Sequence, residues 1–95
     1  MVAYVVVDIT VTDPEGYEEY KKLAAPSVSA HGGRYLARGG KVEVLEGQWE
    51  TNRFVLLEFA DAEQARRWWD SPEYRVAKGI RHRTARTDMI LVEGA

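Results

Sequence analysis

The chain has 95 residues, with 13 Lys plus Arg against 15 Asp plus Glu and a net charge of −2. That length allows one modest core, and the slight acidity gives no general attraction to nucleic acid or to an anionic membrane surface. The absence of cysteine removes disulfides, thiolate nucleophiles and cysteine-based zinc sites and fits a reducing compartment, so the expected location is cytoplasmic. No apolar run approaches the ~20 residues a membrane span needs, and no signal-peptide pattern follows Met1.

Residues 4–11 place Val5, Val7, Ile9 and Val11 on one face and Tyr4, Val6, Asp8 and Thr10 on the other. This predicts a strand whose second face is mixed rather than polar. Asp13-Pro14-Glu15 then combines a cap residue, a first-turn proline and a first-turn acid, the signature of a helix start. Tyr17, Tyr20, Ala24 and Val28 form the stripe of that helix. Pro26 is expected to kink or interrupt its last turns, and His31-Gly32-Gly33 to end it. Residues 34–38 predict a second strand, with residues 41–45 as its continuation beyond a bulge or turn at Gly39-Gly40. Residues 46–52 read as a loop and residues 53–59 as a clear strand, forming a hairpin with the one before.

Asp61 followed three residues later by Gln64 has the form of a capping box, opening a helix that carries Ala62, Ala65, Trp68 and Trp69. Ser71-Pro72-Glu73 repeats the start signal for a further helical segment running toward His82, weakened by Gly79. Residues 88–93 predict a short final strand with Ile90 and Val92 opposed to Met89 and Leu91.

This order predicts one α+β domain over residues 1–95, with the ferredoxin-like βαββαβ plan and a four-stranded antiparallel sheet carrying its helices on one face. The strands are apolar in both registers, as in Phe54 and Leu56 against Val55, Leu57 and Phe59. The face away from the helices therefore needs a cover. Burying ~500 Å² of apolar surface there would contribute about 12 kcal/mol before the costs of association. The expected cover is a second copy, giving a homodimer through the open sheet face.

His31-Gly32-Gly33-Arg34-Tyr35, Arg38-Gly39-Gly40, Glu46-Gly47, Arg53 with Glu58-Phe59, and Ser71-Pro72-Glu73-Tyr74 followed by Arg81 together resemble the DUF1330 family over nearly the whole chain. The resemblance implies a dimeric α/β barrel and no established activity. The wider superfamily includes cofactor-free monooxygenases, haem-degrading enzymes and simple ligand binders, among which fold does not choose.

The candidate site rests on a few side chains. His31, one of two histidines, suits a general base near neutral pH, although its place at a helix end also suits a capping role. Arg38 fits an anion clamp and Glu58 a polar partner to that base. Arginine and glutamate on neighbouring strands also form ordinary ion pairs. Asp8 sits on the mixed face of the first strand and calls for an arginine partner. Asp8, Arg53, Trp69 and Tyr74 are the expected pocket residues, with Trp49 and Trp68 as further aromatics. Arg75, Lys78, Arg81, His82, Arg83 and Arg86 read as a solvated basic face. No metal, nucleotide or cofactor motif is present.

Two functions fit these residues. One is a small dimer that binds a small organic acid or aromatic molecule and performs cofactor-free acid/base chemistry through His31, Arg38 and Glu58. The other is a non-catalytic dimerisation or protein-interaction module.

Overall fold

Alternation of apolar side chains builds the sheet. In a computed structural model describing residues 1–95, β1 (Ala3–Val11) buries Ala3, Val5, Val7 and Ile9 and leaves the residues between them half-buried. The other elements are α1 (Pro14–Ala30), β2 (Arg34–Arg38), β3 (Arg53–Phe59), α2 (Ala62–Trp69), α3 (Pro72–Thr84) and β4 (Ala85–Glu93). The strands run antiparallel in the order β2-β3-β1-β4. This is the ferredoxin-like α+β arrangement. No helix is long and apolar enough to cross a membrane.

Each helix begins on a capping side chain. Asp13 Oδ1 accepts from Gly16 N at 3.2 Å, Asp61 Oδ1 from Gln64 N at 2.7 Å and Ser71 Oγ from Tyr74 N at 3.1 Å. The amide of Gln64 does not complete a reciprocal box; its Nε2 donates to His31 O at 3.1 Å, tying α2 to the end of α1. Thr12 N and Asp13 N both donate to Thr84 O, fastening the start of α1 to the end of α3.

Three expectations are corrected. Pro26 neither interrupts nor ends α1, which continues to Ala30. Pro26 and Lys22, whose carbonyl loses its intrahelical donor, are both exposed, so the break in the ladder lies on the solvent side of the helix. Residues 41–45 do not extend β2; residues 39–52 have no helix or strand and are almost entirely exposed. β4 starts three residues earlier than its apolar run, at Ala85, because Ala85 and Thr87 share the buried register with Met89 although their types do not advertise it.

The core lies between the sheet and the helices. Trp68 is its centre, with ring centroids 5.4 Å from Phe59 and 4.2 Å from Tyr74, and its indole Nε1 donates to Ser27 Oγ at 3.1 Å. Gly33 turns against this cluster so closely that a Cβ there would meet Phe59 Cε1 at 2.5 Å. Gly79 differs, since a Cβ would meet only Arg83 Nη1, at 3.6 Å, in ordinary contact. Gly79→Ala should therefore raise stability by about 0.5–1 kcal/mol through helix propensity, read as a higher urea midpoint at unchanged m.

The Cα atoms span 36 × 33 × 16 Å, so one sheet and one helix layer make the whole thickness. The other sheet face carries Val6, Phe54, Leu56, Ile90 and Val92, of which Ile90 is 62% exposed. Arg34 and Glu58 pair across β2 and β3 on that face at 2.8 Å.

Candidate ligand cavity

The buried stripe of α3 is Tyr74, Ala77, Arg81 and Thr84, the i, i+3, i+7, i+10 spacing of one helix face. An arginine therefore stands where the pattern calls for an apolar residue. Arg81 is only 4% exposed. Its Nε donates to Tyr74 Oη at 3.2 Å, and the Tyr74 and Tyr20 hydroxyls lie 2.8 Å apart. No carboxylate pairs with Arg81. A buried cation without a counter-charge is costly, which makes it a marker of function.

Arg81 lines a cavity of about 480 Å³ between α2, α3 and the edge strand β4. Trp68, Trp69, Met89 and Leu91 supply its apolar surface, while Arg66 and His82 are its other ionisable groups; no acidic side chain lines it. Thr87, also in the wall, has a buried hydroxyl with no hydrogen-bond partner. Burial pushes the His82 imidazole down, helped by the positive charges of Arg81 and Lys78. The walls are thus apolar and aromatic with a few convergent donors, in the size range of small-molecule sites.

The expected site residues scatter instead of converging. His31 ends α1, and its Nε2 lies 3.2 Å from Glu73 Oε2 at the start of α3. The Glu73 carboxyl is held below its ordinary range first by its own backbone N–H and then by His31. Glu58 is on the open sheet face, engaged by Arg34, whereas Arg38 is on the helix side at the far end of β2. His31, Arg38 and Glu58 do not converge: Arg34 pairs with Glu58 on the open face, and the register shift between Tyr35 and Ala37 turns Arg38, four residues on, to the helix side beside Val55. Asp8, also on the open face, takes its hydrogen bond from Asn52 N at 3.1 Å rather than from an arginine.

Among the pocket residues, Trp69 does line the cavity, with Lys78 Nζ 3.5 Å from its ring centroid. Tyr74 is fully buried and reaches the cavity through Arg81. Arg53 lies on the other side of Trp68, in a narrow cleft under α1. Trp49 is exposed on the 39–52 arm, where its ring meets Phe54 edge-on at 6.0 Å. Arg81 is a correction, because the sequence placed it on a solvated basic face. The signal that separates it is its spacing of seven from Tyr74, which puts it in the apolar stripe. Thr87 and Met89 carried no such signal.

A family model described as a domain of unknown function matches residues 2–95. The fold is similar to that of the RPA0582 protein of unknown function from Rhodopseudomonas palustris, at 16% identity and TM-score 0.78, over 99% of this chain and 82% of that one. It is also similar to a dimeric ferredoxin-like protein of unknown function from Thermobifida fusca, at 16% identity and TM-score 0.70, over 99% of this chain and 92% of that one. SnoaB, a cofactor-independent oxygenase from Streptomyces nogalater, matches at 16% identity and TM-score 0.68, over 99% of this chain and 93% of that one. These identities speak for a shared fold alone. No curated protein matches the chain.

Proposed function

The chain belongs to the DUF1330 family, which gives it a fold but no activity, and on that premise we propose a homodimer whose subunits each bind a small aromatic or apolar carboxylic acid in the α2/α3/β4 cavity. The observation that carries the reading is Arg81, a nearly fully buried arginine without a carboxylate partner, in the lining of a cavity that contains no acid. A ligand carboxylate would supply the missing counter-charge in a geometry guanidinium suits well. The Thr87 hydroxyl would offer a second donor, and Trp69, Met89 and Leu91 an apolar bed for the ring or chain.

Dimeric ferredoxin-like neighbours support the homodimer, as does the apolar sheet face. The arm of residues 39–52 adds Val42, Val44, Leu45 and Trp49, with Leu45 89% exposed. The reading is binding rather than turnover, since the side chains proposed for acid/base work lie apart. His82 is the cavity's only histidine, held toward its neutral form by burial and by Arg81 and Lys78, so acid/base chemistry on a bound acid would run through it as a proton acceptor and not through His31. The oxygenase activity of SnoaB supports only the general point that this fold can serve small-molecule chemistry without a cofactor.

Arg81→Met separates binding from folding. Tyr74 and Tyr20 keep each other's hydroxyls when Arg81 is removed, and an uncompensated buried charge is replaced by an apolar side chain of similar length. Stability of the free protein should hold or rise by about 1 kcal/mol. Benzoate should quench or shift tryptophan emission saturably in the unaltered protein, and its affinity should fall at least ~30-fold in the variant, as expected for losing a charge-assisted hydrogen-bond pair. Equal benzoate affinity in the two proteins would remove the assignment.

A further inference from the structure

We propose that Arg38 and Arg53 form a second anion site, separate from the Arg81 cavity and fitted to one small carboxylate or other small monoanion. Both arginines project from the helix side of the sheet, since Arg38 pairs in register with Val55 and Arg53 with Ile9, both core residues. They line one cleft where β2 and β3 leave the sheet for the arm. Each lies against a tyrosine: Arg38 Cζ is 4.4 Å from the Tyr35 ring centroid and Arg53 Cζ 5.9 Å from that of Tyr17. Neither makes an ion pair. The nearby Lys21 is engaged by Glu18 at 3.0 Å, so the cluster keeps two uncompensated positive charges in a chain whose net charge is −2.

Two further observations point to a built site. Arg53 Nε is buried and has no hydrogen-bond partner, a state that costs free energy unless an acceptor arrives. Gly39 has φ +70, and a Cβ there would collide with Arg53 Nη1, so a glycine is what lets the guanidinium lie in this position. The cleft shared by Tyr17, Tyr20, Lys21, Tyr35, Arg38 and Arg53 has a volume of only about 20 Å³. That admits a water-sized group or the head of a small anion and excludes an aromatic ring. The polar residues in its lining are cations and tyrosines, with no acid among them, and the rest of the lining is apolar. Burial pushes the Tyr17 and Tyr35 hydroxyls up, opposed by Arg53 and Arg38 respectively, so both stay protonated and able to donate.

The test uses formate as probe, with thermal unfolding followed at constant ionic strength against a sulfate control. Formate should raise Tm in proportion to the logarithm of its concentration above Kd, by roughly 4 °C or more at about ten times Kd. The shift should persist in Arg81→Met and vanish in Arg53→Met. Should Arg53→Met not fold, Arg38→Met alters an exposed side chain and must also lose the response. No formate-specific shift in the unaltered protein, as when a carboxylate of a partner subunit already occupies the pair, overturns the proposal. So does an equal shift in the arginine variants, which would mark a general salt effect. Loss of the response in Arg81→Met with retention in Arg53→Met overturns it too, by assigning the anion to the larger cavity.

Discussion

Leu56→Glu should turn the proposed dimer into a folded monomer. Leu56 sits in β3 on the sheet face without helices, in register with Val6 and beside Ala37. The core is on the other side of the strand, where Val55 and Leu57 are buried, so a charge at position 56 meets water in a monomer and costs the fold little. In a face-to-face dimer the same carboxylate is desolvated without a partner, and the two-fold repeats the penalty. At about 3 kcal/mol per copy, association would weaken by roughly four orders of magnitude. Light scattering should give a mass near two chains for the unaltered protein and near one chain for the variant, with matching far-UV circular dichroism. An unaltered protein that scatters as one chain would contradict the dimer.

Trp68→Ala carries the largest expected loss of stability. Trp68 is 1% exposed, stacked between Phe59 and Tyr74, with its Nε1 bonded to Ser27 Oγ. Truncation leaves a void the neighbouring rings cannot fill without moving the sheet or α3, a cost of about 3–5 kcal/mol. A chain of this size has roughly 5–15 kcal/mol in total, so Tm should drop by roughly 15–30 °C. Ser27 Oγ keeps its own bond to Ala24 O at 2.6 Å, so the loss is chiefly one of packing. Trp68→Phe, which keeps most of the ring, should lose less than half as much; equal losses would mean that the hydrogen bond and not the packing holds this residue.

Most of the fold was legible because it rests on local rules. The alternation of Val5, Val7 and Ile9 and the caps at Asp13, Asp61 and Ser71 are readable without tertiary knowledge, and each appears in the structure. The failures share a cause. The tolerance of α1 for Pro26 depends on which way one carbonyl faces, and the early start of β4 depends on partners in β1. Neither is encoded in the residues concerned.

The candidate site was less legible for the same reason. His31 and Glu58 are chemically apt, but their separation follows from helix packing and strand register. Arg38 and Arg53 were singled out for their charge, and the structure puts them on one side of the sheet with tyrosines beneath them. Arg81 was visible in principle, since its spacing from Tyr74 and Ala77 places it within the buried stripe of α3. Five other basic residues between positions 75 and 86 hid it among solvated charges. Thr87 and the cavity that it helps to line arise only when β4 packs beneath α2 and α3.

The most direct test is a crystal structure of the protein grown with benzoate. The carboxylate should lie within about 2.7–3.1 Å of the Arg81 guanidinium, close to the Thr87 hydroxyl, with the ring against Trp69, Met89 and Leu91. Benzoate bound only elsewhere, or Arg81 found paired with a carboxylate of the partner subunit, would contradict this placement.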